Sequence, residues 1–150
     1  MSDNDNKRSD DSLPSGRLDV PTLKTLAQRA TTHSLVNEWE FDPSSLSPRM
    51  LRLFLDADSY PTDVTNVRID IRWFTSGDYS FHYLEEYEET TDPYQCRWDR
   101  HPKTSAPRMH FHPPPNAGSA ESGSLESHHL AVLFSVLDWV SERVQHLHTD

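Results

Sequence analysis

The chain has 150 residues, a formal net charge of -10, a hydrophobic fraction of 34% and one cysteine. That length suits a single domain with a modest core. Cys96 alone excludes an intrachain disulfide, and no run approaches the ~20 apolar residues that a membrane-spanning helix needs. Lysine is scarce (Lys7, Lys24 and Lys103) and aspartate abundant, a halophile-like balance common in proteins that work in concentrated salt.

Residues 1–18 are polar, aperiodic and acidic (Asp3, Asp5, Asp10, Asp11) and predict a disordered tail without an apolar leader, hence a cytoplasmic protein. A single α+β domain is expected over residues 19–148. Leu23, Leu26, Ala27 and Ala30 recur at i, i+3, i+4 and i+7 after Pro21, the pattern of a short amphipathic helix. Strands are expected at Leu35–Phe41, Met50–Leu55, Val64–Phe74, Tyr79–Glu88, Tyr94–Asp99 and Arg108–Phe111. Gly77 marks a tight hairpin between the third and fourth. The acidic run Glu85, Glu86, Glu88 and Glu89 reads as a solvated strand end. A Gly/Ser/Ala-rich loop at 116–124 then leads to a long helix whose stripe contains Leu133, Leu137, Val140, Val144 and Leu147. The fold class is thus an antiparallel sheet of about six strands, with one face covered by the two helices.

Strand alternation sorts the side chains by face. Val67, Ile69, Ile71 and Trp73 share a face, as do Tyr79, Phe81 and Tyr83, then Tyr94, Cys96 and Trp98, then Met109 and Phe111. These belong under the helices, with Cys96 as a small buried hydrophobe. The opposite parity collects Arg68, Asp70 and Arg72, then Ser80 and His82, then Arg97 and Asp99, then His110 and His112.

The stretch Cys96 to Pro115 inverts the acidic character of the chain. It holds Arg97, Arg100, Lys103 and Arg108 against Asp99 alone, together with His101, His110 and His112, so an anion meets its most favourable potential there. Histidine beside arginine is the equipment for proton transfer next to a phosphate. Catalytic candidates are therefore His110 and His112 as an acid/base pair, Arg97 as anion stabiliser, and Asp99 and His82 as orienting groups. Arg100, Arg108, Arg72 and His101 are candidates for substrate binding. The competing chemistry is a metal-dependent hydrolase with His110, His112, His128 and His129 as ligands. We expect no metal or other cofactor, because the pair lacks a third ligand at a recognised spacing and Arg97, Arg100 and Arg108 repel a dication. The polar residues also suit the solvated side of a sheet covered on one face only.

Tyr79-Ser80-Phe81-His82-Tyr83, Arg97-Trp98-Asp99 followed by His101-Pro102, His110-Phe111-His112-Pro113 and a closing helix together resemble the TumE-like toxins of prokaryotic toxin–antitoxin systems. That resemblance implies a toxin component with a helix-turn-helix antitoxin as partner. It fits either a metal-independent ribonuclease acting on RNA or a non-catalytic module that docks the partner.

Overall fold

A computed structural model describes residues 16–101, 109–122 and 128–149. The expected disorder of 1–18 falls mainly outside the described residues. Arg17 and Leu18, at the end of that segment, lie against Thr75 and Phe74. Asp19 caps helix α1 (Val20–Ala30), accepting from the Thr22 backbone N–H at 3.1 Å, which satisfies one of the orphan donors at a helix start. The predicted stripe Leu23, Leu26, Ala27 and Ala30 is fully buried.

Seven strands then run as an antiparallel meander in sequence order: β1 (Val36–Asp42), β2 (Met50–Leu55), β3 (Val64–Trp73), β4 (Tyr79–Tyr87), β5 (Tyr94–Arg100), β6 (Met109–His112) and β7 (Glu121–Ser122). The six expected strands are present with ends shifted by a residue or so. The two-residue β7 extends the sheet from within the segment read as a loop. Asn116, in the same segment, bridges to Gln95. Gly77 takes φ +90 in the β3–β4 turn, a backbone region that glycine enters without the Cβ penalty.

Helix α2 (His129–Thr149) lies with α1 on one face of the sheet, burying Val132, Leu133, Val136, Leu137 and Val140. Beneath them sit Val67, Ile69, Ile71, Trp73, Tyr79, Phe81, Tyr83, Cys96 and Trp98, as alternation predicts. Burial pushes the Cys96 thiol up to about 12, consistent with a packing role. Among the described residues, no helix is long and apolar enough to cross a membrane.

The core also takes in a carboxylate beneath α2. Glu85, read from sequence as part of a solvated acidic run, is fully buried. It follows Tyr83 by two residues and so points under α2. Arg143 of α2 grips it through two bonds of 2.7 and 2.9 Å. Tyr83 and Tyr87 also donate to it, at 2.5 and 2.7 Å. The Tyr94 ring covers the guanidinium, 3.6 Å from centroid to Cζ. Every charge in this cluster has a partner, the condition under which a buried ion pair is tolerated. Arg143→Ala strips Glu85 of its counter-charge and is expected to cost about 3–5 kcal/mol in guanidinium unfolding, with part recovered in the double variant Glu85→Leu/Arg143→Leu. A loss below about 1 kcal/mol is what a solvated pair would give.

Candidate active site

Because both helices lie on one face, the other face of β3–β6 stays open, and its side chains form a cleft of about 350 Å³. Asp70 and Arg72 come from β3, Ser80 and His82 from β4, Arg97 and Asp99 from β5, and His110 and His112 from β6. His101, just after β5, Met50 and Ala120 complete the lining.

Pairing register sets who faces whom. Asp70, His82, Arg97 and His112 are direct neighbours across four strands, forming one row perpendicular to the chains. Arg72, Ser80, Asp99 and His110 form the next row. Strand spacing puts the backbones of His82 and His112 about 10 Å apart, with Arg97 between them.

Asp99 joins the two rows. Its carboxylate, on a residue only 6% exposed, accepts from Arg97 Nε at 2.8 Å and lies 3.1 Å from His112 Nε2, both through Oδ2. The other ring nitrogen of His112, Nδ1, is 2.9 Å from the Gly118 carbonyl oxygen, which only accepts, so Nδ1 carries a proton. Nε2 then has a partner in either charge state. Neutral, it accepts from Arg97 Nη2 at 3.3 Å; protonated, it donates to Asp99.

His82 is held differently. Its Nε2 lies 2.7 Å from Gln95 Oε1, and burial, outweighing that bond, holds its pKa below the usual histidine value. The nearby Arg97 and Arg68 act in the same direction, whereas Asp70 opposes them. Asp70 itself accepts from Arg52 Nε at 2.8 Å and Arg68 Nε at 3.4 Å, and Arg68 reaches Glu86 at 3.3 Å. Arg72 is exposed and has no carboxylate partner among the described residues. His110 and His101 lie deeper, 5% and 7% exposed, with ring centroids 5.2 Å apart. Asp99 Oδ1 and His101 Nδ1 have no hydrogen-bond partner among the described residues.

The expected site residues thus divide. His82, Arg97, Asp99, His110, His112, Arg72 and His101 share the cleft. Arg100 does not: it shares the parity of Trp98 and pairs at 3.2 Å with the buried Asp78 in the β3–β4 hairpin. Arg108 lies outside the described residues. His128 and His129 stack on each other 4.4 Å apart, and His129 packs toward Trp73 on the helix-covered side. They are therefore separated by the sheet from His110 and His112. No group of three or more His, Cys, Asp or Glu among the described residues is arranged to hold a metal ion. Gln95, a cleft-side contact missed from sequence, follows from the parity of Arg97 but carries no charge to draw attention.

The fold and the site define an α+β protein with an open antiparallel meander and a polar cleft on its uncovered face. The model of the family described as Toxin TumE matches residues 23–144, and the chain belongs to that family, which supports a toxin-like role. No curated protein and no solved structure matched the chain.

The depressed pKa of His82 has a consequence for stability. Below the ordinary histidine value of about 6.5, the unfolded chain takes up a proton that folded His82 resists, so its contribution falls as pH drops through that range. Urea unfolding followed from about pH 7 to pH 5 is expected to show a shallower stability loss for His82→Asn than for wild type. Equal slopes would contradict a suppressed His82 proton.

Proposed function

We propose that the protein is a toxin that cleaves RNA through the 2′-hydroxyl neighbouring the scissile phosphate, without a metal. The observation that supports this reading best is the row His82–Arg97–His112, in which a cation lies between two imidazoles with different hydrogen-bond partners, Gln95 for His82 and Asp99 with Gly118 for His112. Neutral His82 takes the proton from the 2′-hydroxyl as the 2′-oxygen attacks phosphorus. Arg97 stabilises the charge that develops on the phosphoryl oxygens. The P–O5′ bond breaks, and the departing 5′-oxygen receives the Nε2 proton of His112. Products are a 2′,3′-cyclic phosphate and a 5′-hydroxyl, so atoms and charge balance without a co-reactant.

In this scheme Asp99 fixes the imidazolium of His112 and the plane of Arg97 through one oxygen. His110, first expected to be half of the acid/base pair, is assigned to the cleft floor with His101, because it faces Asp99 rather than Arg97. Arg72 is exposed at the cleft and available to an adjacent phosphate, a contact that adds affinity and salt dependence. The chain's net charge of -10 opposes RNA elsewhere, which confines binding to this face. An antitoxin of the helix-turn-helix class would be the partner that restrains the activity.

Expression in a bacterial host is expected to arrest growth and degrade RNA for wild type. His82→Ala, His112→Ala and Arg97→Ala are each expected to lower RNA cleavage by purified protein about 10²–10⁴-fold, while circular dichroism stays unchanged. Growth and RNA equally intact with wild type and all three variants would remove the nuclease reading and favour a docking module.

A further inference from the structure

His82 and His112 sit on different strands, yet both are anchored to one short turn. The segment Pro113–Gly118 offers its Gly118 carbonyl to His112 Nδ1 at 2.9 Å. It also clamps the backbone of Gln95 from both sides. The Gln95 N–H donates to Pro115 O at 2.8 Å, and the Ala117 N–H donates to Gln95 O at 3.0 Å. The turn closes on itself through Gly118 N–H to Pro113 O at 3.0 Å. Proline at three consecutive positions (Pro113, Pro114 and Pro115) restricts φ before the chain folds, so the clamp is held with little residual freedom.

With its backbone fixed in this way, the Gln95 side chain reaches His82 Nε2 at 2.7 Å through Oε1. An amide oxygen accepts and does not donate, so Nε2 carries the proton and Nδ1 is left as the basic nitrogen. We propose that Gln95 is a positioning residue that sets the tautomer of His82, and that the Pro113–Gly118 turn thereby holds the two cleft histidines in opposite roles. This rests on the ribonuclease reading for its purpose, although not for its geometry.

The chemistry explains an amide at this position. A carboxylate there would draw His82 toward the imidazolium form and disable a base, whereas an apolar side chain would leave either nitrogen free to carry the proton. The charged groups facing His82 are Asp70 and Arg68 on β3 and Arg97 on β5. Their opposing signs leave the uncharged Gln95 as the group that discriminates between the ring nitrogens.

The test is nitrogen-15 NMR of histidine side chains in the full chain, with His82 assigned by its absence in His82→Asn. Wild type is expected to carry the proton on Nε2 across the neutral range. Gln95→Glu is expected to raise the His82 midpoint by about one unit, and Gln95→Leu to give a mixture of tautomers. Where RNA is cleaved, Gln95→Glu should shift the acidic limb of the rate profile upward by the same unit, a loss of about tenfold below it. A purely structural Gln95 would lower the folded fraction without moving that limb. A wild-type proton on Nδ1, or an unmoved midpoint in folded Gln95→Glu, overturns the proposal even if RNA is cut. If Gln95→Glu does not fold, the wild-type tautomer decides alone. Inertness toward RNA with the Nε2–H tautomer present would sink the ribonuclease reading and support the positioning role of Gln95.

Discussion

In-register antiparallel pairing of β3 to β6 is the constraint on which the site depends. Every strand contributes alternate residues to each face, and both helices occupy one face, so polar residues of one parity must collect on the other. Register turns that collection into rows. With Asp70, His82, Arg97 and His112 opposite one another, four residues spread over some forty positions of sequence become neighbours. A one-residue slip at any of the three interfaces would send part of the row to the helix-covered face. Groups built on strands rather than loops are also held to tighter geometry, which proton transfer requires.

The covered face helps to fix that register. Glu85 belongs to the same strand as His82 and is tied to Arg143 in α2 and to the hydroxyls of Tyr83 and Tyr87. The next hydroxyl outward, Tyr60, lies 2.7 Å from that of Tyr83. Such a network has one arrangement in which all its members are satisfied, whereas apolar packing tolerates small shifts. Its location at the far end of β4 from the hairpin at Gly77 means that both ends of the strand are pinned. The polar cluster in the core thus supports the polar cluster in the cleft without touching it.

Much of this was legible in the sequence wherever a local rule applied. Alternation assigned Ile69, Phe81 and Cys96 to the core, and His82, Arg97, Asp99, His110 and His112 to one polar face. The stripe through Leu133, Leu137 and Val140 marked the covering helix. The rest depends on non-local facts. Charge drew Arg100 into the site although its parity with Trp98 places it on the other face, where Asp78 holds it. Glu85 looked solvated because its neighbours in sequence are acidic, and its partner is 58 residues away. The partnering of His82 with Gln95, and of His112 with Gly118, requires the register of β4 to β6 and the course of the turn after β6, neither of which periodicity encodes. His128 and His129 are close to the cleft in chain order yet lie across the sheet.

Cleavage through a neighbouring 2′-hydroxyl leaves a chemical record that binding or arrest of growth does not. Purified protein should be incubated with a short RNA in the presence of chelator, beside the same sequence bearing a single 2′-deoxy substitution at the cut site, and the new ends should be identified by mass. The arrangement of His82, Arg97 and His112 predicts 2′,3′-cyclic phosphate and 5′-hydroxyl ends, with no cut at the deoxy position. Ends bearing 3′-hydroxyl and 5′-phosphate, cleavage that ignores the missing hydroxyl, or an uncut RNA would contradict it.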